Sequence, residues 1–214
     1  MKRRRAPAHP RSARQRPAPD SRRGGQLRLI GGNFKRRRLP VLDSPGLRPT
    51  PDRVRETLFN WLAAVTPGAR VLDLFAGTGA LGLEALSRGA AEACFVERDP
   101  RVARQLDSNL ATLGVTARSR VVTGDAAAFL AGAPQPFSLV FLDPPFRQDL
   151  AARCCTELEQ RGWLAAEAFV YVEMESDAPP SVPANWSLHR EVRAGDTTGR
   201  LYHRYAELSD GDAC

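Results

Sequence analysis

The sequence is poor in the residues that build disulfide or metal scaffolds. It has four cysteines (Cys94, Cys154, Cys155, Cys214) and three histidines (His9, His189, His203) in 214 residues. No pair makes a C-x-x-C motif, and the neighbours Cys154 and Cys155 cannot easily bridge one another. The thiols are therefore read as reduced, as in a cytoplasmic protein, and no metal site is expected. No run approaches the roughly 18 apolar residues of a membrane span. No apolar segment follows the N-terminal charges, so a secretory signal is also missing. Disorder throughout is excluded by a hydrophobic content of 43%. The length suits one domain with some tail, large enough to bury a core without cross-links.

Charge is present but unevenly placed. The formal net charge is +7 and the pI about 9.9. Residues 1–40 carry 14 Lys+Arg against a single acid, Asp20, whereas residues 41–214 carry 17 against 23 acids. A mildly acidic body thus bears a strongly basic arm, the usual partner of a polyanion, either nucleic acid or an anionic membrane. The alternative for its first 25 residues is a solvated tail with no fixed partner. Composition divides the chain into a disordered basic tail (1–25), a basic β extension (26–48) and a domain (49–208). Arg28, Lys35, Arg36, Arg37, Arg38, Arg48, Arg53 and Arg55 are the candidate phosphate contacts.

A helix is expected to open at Thr50-Pro51, with Thr50 capping it, and to end at Pro67-Gly68. Beyond it, short apolar strands alternate with helices. Strands are expected at 70–75, 93–97, 120–123, 138–142 and 169–174. Helices are expected at 80–88, from Asp99-Pro100, at 126–130 and at about 148–161. A closing hairpin spans 186–193 and 200–206. Such alternation predicts an α/β fold: a doubly wound, mostly parallel sheet covered on both faces.

Ligands of these sheets bind beyond the carboxyl ends of the strands, where the strand order reverses. The segment Asp73-Leu-Phe75-Ala-Gly77-Thr-Gly79 leaves the first strand there. Glu97 ends the second strand and can accept both hydroxyls of a ribose. Asp125-Ala126 follows the third strand and can accept an exocyclic amine of adenine. Gly77, Gly79 and Gly82 spell G-x-G-x-x-G, which alone also fits a dinucleotide. Asp73 argues against a pyrophosphate, which its charge would repel, and for a ligand bearing an ammonium group. A nucleoside joined to an amino acid, such as S-adenosylmethionine, fits this set.

The sharpest signal is Asp143-Pro144-Pro145-Phe146 after the fourth strand. A rigid turn alone would also use prolines. Here, however, the Asp143 carboxylate and the Pro144 carbonyl present acceptors to the two N–H groups of a nucleobase amine. That arrangement frees the nitrogen lone pair and stabilises the positive charge built on attack. Phe146 offers a stacking face worth about 1–3 kcal/mol.

Taken together, Asp73–Gly82, Glu97, Asp125 and Asp143–Phe146 resemble a class I S-adenosylmethionine-dependent amino-methyltransferase. The segments Arg28–Gly32, Arg48–Trp61 and Leu74–Gly89 narrow the resemblance to the RsmD family, as do Leu188–Glu191, Ala194-Gly195 and Leu201-Tyr202. The resemblance spans residues 27–206. It implies a seven-stranded Rossmann-like sheet ending in an antiparallel hairpin, and methylation of a guanine N2 in 16S ribosomal RNA. It also implies that Asp73, Phe75, Gly77, Gly79, Glu97, Asp125 and Ala126 hold the cofactor, and that Asp143–Phe146 holds the target base. The partner expected is 16S ribosomal RNA in a partly assembled small subunit, met by a monomer. Rival readings are an amino-methyltransferase of DNA, a non-catalytic RNA-binding assembly factor and a nicotinamide oxidoreductase.

Overall fold

Apolar strands too short to span more than one layer must be buried on both faces, and the chain meets this demand with one central sheet. The computed structural model describes residues 25–42, 50–145, 150–177 and 181–205. The seven-stranded sheet runs β5 (Ser119–Thr123), β4 (Glu92–Glu97), β3 (Arg70–Asp73), β6 (Phe137–Leu142), β7 (Leu164–Glu175), β9 (Thr197–Tyr205) and β8 (Trp186–Ala194). β5 through β7 are parallel, and β9 is antiparallel to both of its neighbours. Strand order reverses at β3, which lies between β4 and β6. The Rossmann-like architecture and its C-terminal antiparallel hairpin are as expected.

Side chains alternate along the strands and build two cores. On one face Val71, Phe95, Leu139, Phe141, Tyr171 and Leu201 meet α1 (Asp52–Trp61), α2 (Ala80–Ser87) and α3 (Pro100–Leu113). On the other, Leu72, Cys94, Val140, Leu142, Val170 and Val172 meet α4 (Ala126–Leu130) and α5 (Leu150–Gln160). Cys94, Cys154 and Cys155 are buried free thiols, and burial pushes Cys154 up to about 11 and Cys155 up to about 12. Gly82 lets α2 lie close to β4, because a Cβ there would sit 2.2 Å from the Phe95 ring. Asp99 caps α3 through the Arg101 N–H, with Pro100 in the first turn, as its sequence suggests.

Of the boundaries that differ from expectation, three have a plain physical cause. Thr50 makes no side-chain cap; its carbonyl instead accepts from the Arg55 guanidinium at 3.2 Å, and Pro51 occupies the cap position. α1 stops at Trp61, several residues before Pro67-Gly68, and passes into turns. β7 begins at Leu164, five residues before the expected start. Its Ala- and Glu-rich beginning lacks apolar alternation and is recruited by pairing, with Phe137 opposite Leu164 and Tyr205 opposite Glu167.

The basic arm forms a two-stranded antiparallel hairpin, β1 (Gln26–Arg28) with β2 (Arg38–Pro40). It docks on α2. The Glu84 carboxylate, 0% exposed, accepts from the Ile30 and Gly31 N–H groups at 2.8 and 2.7 Å. Ser87 donates to the Gly31 carbonyl and accepts from the Phe34 N–H. The expected tail of residues 1–25 lies, but for Gly25, outside the described residues.

Candidate active site

Four acids stand at the carboxyl ends of consecutive strands. Asp73 ends β3, Glu97 ends β4, Asp125 follows β5 and Asp143 follows β6. Asp73 is 3% exposed and reaches across the glycine loop to accept from the Gly82 N–H at 3.0 Å. Gly77 and Gly79 adopt φ of +51° and +76°, a region that other residues enter at a cost. Glu97 braces the same loop, accepting from the Gly77 N–H at 2.8 Å and from the Asp99 N–H at 2.7 Å. Each of its oxygens keeps a second lone pair beyond these bonds, enough for a diol. Asp125 is exposed and spends one oxygen on the Ala128 N–H at 2.8 Å, which caps α4. Ala126 is buried beneath it, and Phe75 is half-buried against the second core.

Val41 and Leu42, at the far end of the arm, form one wall of a recess whose other wall is Gly77, Thr78 and Leu106. Asn109 of α3 fixes that end by donating to the Pro40 carbonyl at 3.0 Å. The arm therefore borders the crevice as well as docking on α2.

Asp143 stands partly buried, Pro144 is buried and Pro145 is exposed. Phe146 and Arg48 lie outside the described residues. Asp73 and Asp143 are on one face of the sheet, since Asp73 pairs with Phe141, two residues before Asp143. Sequence reasoning missed a third member. Glu173 of β7 lies beside Asp143, because Leu142 and Val172 are register partners one residue earlier. It is 7% exposed. It sits two residues inside the end of β7, so the signal that marked Asp73, Glu97 and Asp143, an acid closing or following a strand, does not single it out.

These three acids share an electrostatic predicament. Among the described residues, no cation makes an ion pair with Asp73, Asp143 or Glu173. Burial pushes Asp73 up to about 7, against the Gly82 hydrogen bond, with the Glu97 charge adding to the rise. Burial, then the charges of Glu173 and Asp73, hold Asp143 well above the usual carboxylate range. Glu173 is raised by burial as well. The crevice is thus an unneutralised nest of carboxyl groups, suited to a ligand that brings positive charge or hydrogen-bond donors. No group of three or more His, Cys, Asp or Glu among the described residues is arranged to hold a metal ion.

The matching family model is "Conserved hypothetical protein 95", over residues 27–203. Ribosomal RNA small subunit methyltransferase D of Escherichia coli is 56% identical over 196 residues, covering 91% of this chain and 98% of that protein. The chain belongs to that family. It is a methyltransferase. The solved structure of Escherichia coli yhhF superposes with a TM-score of 0.79 at 57% identity, covering 86% of this chain and 100% of the other. A Salinibacter ruber RNA methyltransferase, in complex with S-adenosyl-L-homocysteine, shares the fold at 19% identity and a TM-score of 0.58, with 76% and 97% covered.

The candidate phosphate contacts of this family member divide. Lys35, Arg36, Arg37, Arg38 and Arg53 are exposed. Arg28 is also accessible, though paired with Asp52 at 2.6 Å. Arg55 does not belong with them. It is 1% exposed, and its guanidinium is turned inward to the Thr50 and Arg28 carbonyls and to Asp52. Position in sequence placed it in a basic cluster, but its place on α1 aims it beneath the arm.

Proposed function

We propose that this methyltransferase moves the methyl group of S-adenosylmethionine to the exocyclic N2 amine of a guanine in small-subunit ribosomal RNA. The observation that carries this reading is the row of carboxyl groups that no cation among the described residues neutralises, ending at Asp143-Pro144. When bound, S-adenosylmethionine supplies an electrophilic methyl group on a positively charged sulfur. Asp73 faces the ammonium end of that ligand, Glu97 takes the ribose diol, Asp125 takes the adenine amine, and Gly77 and Gly79 allow close approach of the backbone. Phe75 and Ala126 contribute apolar walls.

Asp143 and the Pro144 carbonyl accept the two N–H groups of the target amine and hold its nitrogen in line with the methyl group. Fixed acceptors aimed at a centre that turns positive lower the barrier, since they need no reorganisation during the reaction. The positive charge of the bound donor favours the ionised form of Asp143, and the carboxylate, made basic by burial, then takes the proton that the methylated nitrogen releases. Phe146 stacks on the base. The exposed cations Arg28, Lys35–Arg38 and Arg53, with Arg48, position RNA through its phosphates, while the pocket reads the base. The enzyme works as a cytoplasmic monomer on a partly assembled subunit.

The test is transfer of tritium from labelled S-adenosylmethionine to small-subunit particles lacking the mark, followed by mapping at nucleotide resolution. Label on one guanine N2 supports the reading. Label on an adenine, on DNA alone or on nothing overturns it.

A further inference from the structure

The proposed reaction leaves Glu173 without a task, yet its side chain is held with care. Its Oε2 accepts from the Tyr171 hydroxyl at 3.1 Å and its Oε1 from the Thr197 hydroxyl at 3.3 Å. Tyr171 is itself fully buried and wedged against β9, where a Cβ on Gly199 would lie 2.0 Å from its hydroxyl oxygen. Two neutral hydroxyls do not explain a buried acid. A glutamine would satisfy both without the cost of burying charge. Each carboxylate oxygen also retains a lone pair beyond those two bonds.

Topology says what that acceptor faces. The glycine loop and Asp73 lie on the β3 side of Asp143, and Glu173 lies on the opposite, β7 side. If the methyl donor occupies the first side, the base occupies the second. Adjacent strands are about 4.8 Å apart, so Asp143 and Glu173 offer two neighbouring acceptors to one edge of that base. Guanine presents two neighbouring donors there, the N2 amine and the ring N1–H. Adenine and cytosine each place an amine beside a ring nitrogen that is itself an acceptor, which a carboxylate repels.

Resting on the function proposed above, we propose that Glu173 reads the N1–H of the target guanine and is a specificity-determining residue, with Tyr171 and Thr197 positioning it. The groups facing it are Asp143 beyond β6, Tyr171 on its own strand and Thr197 on β9, with Asp73 two strands away. A protonated Glu173 would become a donor and accept the wrong base. Since burial raises its proton affinity, discrimination strengthens as pH rises and weakens as pH falls.

The decisive substrate is RNA carrying 2-aminopurine at the mapped position. It keeps the exocyclic amine but has a bare acceptor at N1. Wild-type enzyme should favour guanine over 2-aminopurine in kcat/KM by at least about tenfold. Glu173→Gln, whose amide can turn an N–H toward the base, should shrink that ratio by about tenfold or more, whatever its absolute rate. Tyr171→Phe should shrink it less, and supplies the same readout should Glu173→Gln fold poorly. An equal slowing of both substrates in these variants, with the ratio intact, overturns the inference and leaves the proposed reaction standing. Absence of transfer to guanine RNA by the wild-type enzyme overturns both.

Discussion

Two buried acidic sites lie on the same face of the sheet, and they are built on opposite rules. Glu84, under the arm, has every demand met. It takes two backbone N–H groups, the Arg88 guanidinium at 2.8 Å and the Arg55 guanidinium at 3.9 Å. Arg55 in turn holds Asp52 and two carbonyls. Asp73, Asp143 and Glu173 have no such cations among the described residues; burial raises all three, and the charges of neighbouring acids add to the rise at Asp73 and Asp143. The first site is a clasp that fixes a basic arm to the body. The second holds free energy in reserve for a ligand. What separates a structural buried acid from a working one here is the partner left out.

Breaking the clasp should produce the largest effect. Glu84→Ala unpins Ile30 and Gly31, takes a partner from Arg88 and leaves the buried Arg55 with Asp52 as its remaining acid, at about 3–5 kcal/mol in denaturant unfolding. Asp73→Asn should do the reverse under one condition. The folded chain holds the Asp73 proton more tightly than the unfolded chain, so the wild-type, ligand-free protein loses stability as pH rises from about 4 to about 7. The variant lacks that loss and should gain on wild type by as much as ~4 kcal/mol at pH 8. A flat difference between the two across that range would contradict the sign.

The next effect is catalytic. Asp143→Ala should lower single-turnover methyl transfer by roughly 10²–10³-fold, with calorimetric cofactor affinity near that of wild type. Unchanged turnover would remove Asp143 from the reaction. The smallest effect separates the two duties of Asp125. Asp125→Asn keeps the cap on α4, whereas Asp125→Ala loses it at about 1 kcal/mol. Both should weaken cofactor binding if the carboxylate meets the adenine amine. A loss confined to the alanine variant would make Asp125 a cap alone.

Much of this architecture was legible because its signals are local. Valine- and leucine-rich strands punctuated by Gly77–Gly79, Gly89 and Gly114 declare an alternating α/β order, and an acid after each strand marks the crevice. Glu173 escaped because it lies inside the strand expected at 169–174, and its pairing with Asp143 exists only in the register of β6 and β7. Arg55 was misjudged for a related reason. Arg53, two residues before it, is basic and exposed, but the neighbours of Arg55 in space include the Arg28 carbonyl and Glu84, which only the docking of the arm on α2 brings together.

The central claim is that the crevice holds protons in place of the cation it is built to receive. Calorimetry of S-adenosylmethionine binding at pH 7, in buffers of differing ionisation enthalpy, measures the protons exchanged. Net release that falls as pH rises from 7 to 8, where the free Asp73 carboxyl has already lost its proton, and that disappears in Asp73→Asn is the predicted result. Binding with no proton release, or with release unaltered in that variant, would contradict the account.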